Sequence, residues 1–160
     1  MIYDAGYLDD VSKIKILPHV IDGLLRLQAE GFVLYVVTNQ SGIGRNLFTH
    51  DFVGQTHEAL RNELLQYGIV IEKFLYCPHV KADDCCCRKP KLGLLEDIDV
   101  DWSASWMLGD KISDVQFGLN AGMHSLLVHP NGERGVLFQT VPDMQKAVEV
   151  ICANEAHPQR

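Results

Sequence analysis

Cys77-Pro78-His79 and, a few residues on, Cys85-Cys86-Cys87 bring four thiols and an imidazole into one short stretch of chain. Soft thiolates and an imidazole in that number are what a tetrahedral Zn²⁺ prefers. Alternate residues of an extended segment point the same way, which makes Cys77, His79, Cys85 and Cys87 the expected ligands and leaves Cys86 facing outward. Four protein ligands leave no open coordination position, so such an ion is structural and braces the loop running into Arg88 and Lys89. The plain alternative, a disulfide cluster, fits poorly with an odd total of five cysteines, four of them crowded together.

Three other stretches carry polar chemistry. In Arg88-Lys89-Pro90 the Lys ammonium can neutralise a transferring phosphoryl group, and the Arg can grip a second anionic or hydroxyl-rich part of a substrate. Two basic residues beside a proline are otherwise an ordinary solvated turn. Gly109-Asp110-Lys111-Ile112-Ser113-Asp114 places two carboxylates four residues apart, on one face if the segment is helical, as hard oxygen ligands for Mg²⁺. The competing role for either Asp is capping the helix and complementing its dipole. Thr38-Asn39-Gln40-Ser41-Gly42 offers a hydroxyl, two amides and backbone N–H groups to phosphate oxygens, with Gly42 and Gly44 allowing the backbone to come close. By itself it also reads as a polar turn leaving a buried strand.

The elements that must position these groups follow from periodicity. Pro18, at a first-turn position, with Val20, Ile21, Leu24, Leu25 and Leu27, predicts an amphipathic helix ending near Gly31. Residues 32–37 form an unalternated apolar run, as in a strand covered on both faces of a parallel sheet. A helix is expected from about Thr49 to Tyr67, with Phe52, Leu60, Leu64 and Leu65 inward and Gly68 closing it. A strand over 69–76, a short helix over 92–98, a strand over 105–108, a helix over 112–121, a strand over 124–128 and a helix over 142–153 follow. Strands alternating with helices make a parallel α/β sheet whose ligands sit at the carboxyl ends of the strands, where all the polar motifs fall.

The length of 160 residues, 47% hydrophobic, suits one domain over 1–160 with a sizeable core. A net charge of −7, with no basic cluster longer than Arg88-Lys89, argues against nucleic acid and for a small-molecule partner. No apolar run approaches the ~20 residues of a membrane span and no signal-peptide pattern is present, so a cytoplasmic monomer is expected. Cys152 reads as a small core residue, and the remaining histidines have no partner spacing that sets them apart.

Taken in order, the four motifs resemble the haloacid dehalogenase superfamily of phosphatases, in the group of the D,D-heptose 1,7-bisphosphate and histidinol-phosphate phosphatases; the resemblance spans about residues 2–128. It implies a Rossmann-like α/β fold, Mg²⁺, a structural Zn²⁺ and hydrolysis of a small phosphomonoester, foremost the 7-phosphate of D-glycero-D-manno-heptose 1,7-bisphosphate. It further implies that Thr38 contacts the phosphoryl group, Lys89 stabilises it, Arg88 recognises substrate and Asp110, with Asp114 as a second candidate, ligates Mg²⁺. Lys111 and Asn39, Gln40 and Ser41 would line the site, and Asp4-Ala5-Gly6-Tyr7 matches a substrate-contacting stretch of the heptose enzymes. The Cys-Asp-Cys of that group stands here as Cys85-Cys86-Cys87, so ligation through Cys86 stays open.

The chain departs from the group at one point. No Asp-x-Asp-Gly-Thr occurs in it, and Asp9-Asp10, with no apolar strand before them, do not replace it. That motif would supply the nucleophile, the general acid and two magnesium contacts. Its central strand is accordingly expected to be missing, and two explanations compete: a sequence that starts too late, or a shortened, catalytically silent phosphosugar-binding protein.

Overall fold

The computed structural model describes residues 14–131, 135 and 137–155. They fall into two compact units, residues 1–88 and 89–160. Asp4, Ala5, Gly6, Tyr7, Asp9 and Asp10 lie outside the described residues.

In the first unit, helix α1 (Val20–Ala29) buries Val20, Leu24 and Leu27, the i, i+4, i+7 stripe of an amphipathic helix. Pro18, expected in its first turn, lies outside it, because His19 turns the chain at φ 62° immediately before Val20. Strand β1 (Leu34–Asn39) follows, then a four-residue helix α2 (Ser41–Gly44) where only a polar turn was expected. Helix α3 (His50–Leu65) starts where Thr49 Oγ1 accepts the Phe52 N–H at 3.2 Å. Gly68, at φ 79°, then reverses the chain into β2 (Ile71–Cys77). The Gln28 side chain ties the end of α1 to this reversal, donating to the Gly68 carbonyl and accepting the Val70 N–H, each at 2.9 Å.

β1 and β2 pair in parallel, from Leu34 opposite Ile71 to Asn39 opposite Cys77, with an irregularity after Leu34. β1 does not meet the expectation of a strand covered on both faces. All its residues are half-buried, and among the described residues it pairs with β2 alone. Leu65, expected inward on α3, is 55% exposed, while Val53, Leu60 and Leu64 are buried. The reason is helical geometry, since a residue next to Leu64 is turned by about 100° away from the face that Leu64 buries.

In the second unit, β3 (Trp106–Gly109), β4 (His124–Val128) and β5 (Gln139–Val141) form a parallel sheet in that order. Helix α4 (Ile112–Asn120) packs on β3 and β4, and α5 (Met144–Glu155) on β4 and β5. Val115, Phe117, Leu126, Leu127, Val141, Ala147, Val148 and Ile151 are buried. β5 was not anticipated, because Gln139 and Thr140 interrupt any apolar run and only pairing with β4 makes them a strand. The helix expected over 92–98 is a single 3₁₀ turn at Gly93–Leu95, since a glycine inside so short a segment disfavours the α form. The α/β class with parallel strands is the one expected.

Candidate functional site

β1 and β2 run parallel and end in register, so their carboxyl ends deliver two loops to the same edge of the first unit. The Gln40 N–H donates to the Cys77 carbonyl at 2.7 Å, and the Gly44 N–H to the Pro78 carbonyl at 3.0 Å. These bonds tie the Thr38–Ser41 turn to the start of the cysteine loop. Within the turn, Gln40 Nε2 lies 3.4 Å from Thr38 Oγ1. The close approach anticipated at Gly42 and Gly44 exists, but its partners are protein. A Cβ on Gly42 would run into the Phe48 ring, and one on Gly44 would lie 3.0 Å from the Pro78 carbonyl oxygen.

The cysteine loop gathers Cys77, His79, Cys85 and Cys87 so that their ligand atoms all lie within 4.8 Å of one another. Cys77 Sγ is 3.1 Å from Cys87 Sγ and 3.6 Å from Cys85 Sγ, and Cys85 and Cys87 are 3.6 Å apart. His79 Nδ1 faces the sulfurs, 3.6 Å from Cys77 and 3.3 Å from Cys87. Four ligands at zinc bond lengths would place the sulfurs about 3.7 Å apart. The donor types and the spacing therefore both fit that ion, with the sulfurs slightly contracted. Cys86 is exposed, as the alternation of side chains along the loop requires.

The cluster's electrostatics show what a cation would relieve. Burial pushes the Cys77 thiol up and Cys87 to about 12. At Cys85 the same effect is outweighed by hydrogen bonds from Cys87 and Cys77, which bring it down to about 7. Negative charge can settle on one sulfur only by forcing its neighbours to keep their protons. Below the cluster, Arg88 Nη1 donates to the His79 carbonyl at 2.9 Å, so the guanidinium braces the loop from within.

The second unit holds its charged groups differently. Lys89 Nζ lies 2.8 Å from Asp114 Oδ1, both side chains only 7% exposed. Asp114 Oδ2 accepts the Lys111 N–H at 3.2 Å, so the carboxylate is engaged on both oxygens. The expectation of two carboxylates on one helical face is corrected here: α4 starts at Ile112, leaving Asp110 exposed at the end of β3, outside the helix. Lys111 is exposed, and the last residue of α4 makes a further contact, Asn120 Nδ2 donating to the Pro90 carbonyl at 3.0 Å. Sequence reasoning missed both the Lys89–Asp114 pair and Asn120. The first follows from burial, because a buried lysine needs a carboxylate or other polar partner.

Comparison with known proteins agrees with this geometry. Residues 86–145 match the family model described as HAD-hydrolase-like. The chain is 36% identical over 128 residues to the D-glycero-beta-D-manno-heptose-1,7-bisphosphate 7-phosphatase of Haemophilus influenzae, covering 74% of this chain and 70% of that protein. It is 37% identical over 123 residues to the histidine biosynthesis bifunctional protein HisB of Legionella pneumophila; that match takes in 74% of this chain but spans only 35% of the relative's length. Among solved structures, the D,D-heptose 1,7-bisphosphate phosphatase of B. bronchiseptica, complexed with magnesium and phosphate, superposes with a TM-score of 0.83 at 26% identity. The superposition covers 94% of this chain and 90% of that one.

Proposed function

Because this chain belongs to the haloacid-dehalogenase-like phosphatases, in the group of the heptose bisphosphate and histidinol-phosphate enzymes, we propose that its residues serve phosphomonoester hydrolysis. The substrate proposed is a small phosphorylated sugar, D-glycero-D-manno-heptose 1,7-bisphosphate, which loses its 7-phosphate. The observation that carries this reading is the buried Lys89, held by Asp114 at 2.8 Å, on a chain 36% identical to a heptose bisphosphate phosphatase. A family relationship alone would not demand a lysine kept away from water. A buried ammonium is retained at a cost that a phosphate-binding role explains.

The roles follow from the chemistry of each group. Thr38 and the Asn39–Ser41 turn are phosphoryl-binding groups, and Lys89 is a group that offsets developing negative charge. Asp114 acts through Lys89, holding its Nζ in place. Lys111 and Arg88 hold the rest of the substrate, and Asp4, Ala5, Gly6 and Tyr7 complete its contacts. Asp110, exposed and oxygen-bearing, is the ligand for Mg²⁺, which when bound neutralises phosphoryl charge. Cys77, His79, Cys85 and Cys87 hold Zn²⁺ as a structural brace under Arg88. The nucleophilic and acid carboxylates of the Asp-x-Asp-Gly-Thr type are not among the 160 residues. The groups present are those that bind and stabilise charge.

The reading takes residues 1–160 as one domain working as a cytoplasmic monomer; among the described residues no helix is long and apolar enough to cross a membrane. The test is phosphate release with Mg²⁺ from heptose bisphosphate and from histidinol phosphate, by this chain and by a version carrying an Asp-x-Asp-Gly-Thr strand before it. Release by the extended form alone, lost in Lys89→Ala, is the expected result. The match to HisB makes histidinol phosphate the second substrate to try. Release by neither form would leave the silent phosphosugar-binding reading, and release by the short form would mean that another residue is the nucleophile.

A further inference from the structure

The cysteine loop holds chemistry that phosphate release does not use. Cys77 is fully buried, Cys87 is partly exposed, and their sulfurs lie 3.1 Å apart, closer than the 3.6 Å that separates either from Cys85. A disulfide needs sulfurs about 2.05 Å apart, so closing this pair takes a movement of about 1 Å. We infer that Cys77 and Cys87 form a reversible oxidation site for hydroperoxides, with Cys87 taking the oxidant and Cys77 resolving it.

The exposure of the two residues sets the order of events. Cys87, which solvent can reach, gives up its proton and attacks the peroxide O–O bond, becoming a sulfenic acid and releasing water. Cys77, shielded from the oxidant but against the Cys87 sulfur, gives up its proton and displaces a second water as the S–S bond closes. In sum, two thiols and one peroxide give one disulfide and two waters. A bound ion then loses two of its thiolates and departs. Arg88 follows Cys87 in the chain and donates to the His79 carbonyl, so the crosslink disturbs the loop at the residue proposed to hold substrate. Ion release rests on the proposed Zn²⁺ site, whereas the pairing of Cys77 with Cys87 rests on geometry alone.

The experiment treats the whole chain with about one equivalent of hydrogen peroxide. Cleavage after Lys81 and Arg88 then puts Cys77 on one peptide and Cys87 on another. Fragmentation of the linked peptides identifies the joined cysteines, and a chromophoric chelator follows released zinc. The expected result is a Cys77–Cys87 link with about one zinc released per link, reversed by a dithiol and added zinc, and unchanged in Cys86→Ser. Links that run to Cys86 or Cys85 instead would overturn the inference. So would oxidation confined to the exposed Cys86 while Cys77 and Cys87 stay reduced. A Cys77–Cys87 link formed in protein that never held zinc would support the inference while removing the structural-zinc reading, so the two fail separately.

Discussion

The cysteine loop of the first unit and the Lys89–Asp114 pair of the second solve one problem in opposite ways. Both bring chargeable groups close together away from water. The pair is complete in itself, since cation, carboxylate and a backbone N–H satisfy one another. The loop is incomplete, since its sulfurs can only compete for protons, with Cys87 driven up to about 12 and Cys85 down to about 7. Self-neutralising groups need nothing from outside, while like groups in a cluster depend on an ion.

The sharpest way to break that contrast is to take the ion away. Structural zinc contributes about 10–16 kcal/mol in small metal-folded peptides, comparable with the whole stability of a domain. Chelation is therefore expected to lower the thermal midpoint by about 10 °C or more, as scanning calorimetry would record. An unchanged midpoint in zinc-containing protein would put the loop in the same self-sufficient class as the ion pair.

Next in size is Asp114→Ala, which strands a buried ammonium and should cost about 3–5 kcal/mol in denaturant titration. The double change Lys89→Met, Asp114→Leu should restore most of that loss, because a well-packed apolar pair replaces a desolvated ionic one. If the double variant is as unstable as the single, the pair contributes stability of its own and the contrast is stronger than stated. Asn120→Ala removes one exposed hydrogen bond to the Pro90 carbonyl and should cost about 1 kcal/mol or less. A larger loss would show that the Lys89 segment depends on α4 at both ends.

The smallest expected effect concerns pH. His57 stacks on Phe74 with ring centroids 4.9 Å apart, and burial, then Arg61, lowers its pKa from the ordinary 6.5. Between that lowered value and 6.5 the unfolded chain binds more protons than the folded one, so stability rises with pH across this window and levels off above 6.5. His57→Gln should flatten the rise, measured as denaturation midpoints from pH 5 to 7.5. A slope that survives the substitution would assign it to the thiol cluster or to another group.

Much of this was legible before any coordinates. Cys77, His79, Cys85 and Cys87 could be chosen, and Cys86 set apart, because alternation along an extended segment is a local property. β4 and most of α3 and α4 came from runs and periodicities contained in their own residues. What failed involved distant partners. β5 exists only through β4, and the Lys89–Asp114 pair joins residues far apart in the chain.

The sequence by itself determined which chemistries the chain can carry, since residue types and short spacings decide what can bind zinc, magnesium or phosphate. Tertiary structure alone decided how those groups are used. It set Lys89 against Asp114, Asn120 against Pro90, and the glycines of the Thr38 turn against Phe48 and Pro78. The physical reason is that burial and pairing are properties of residues far apart in the chain, and no spacing along the chain encodes them.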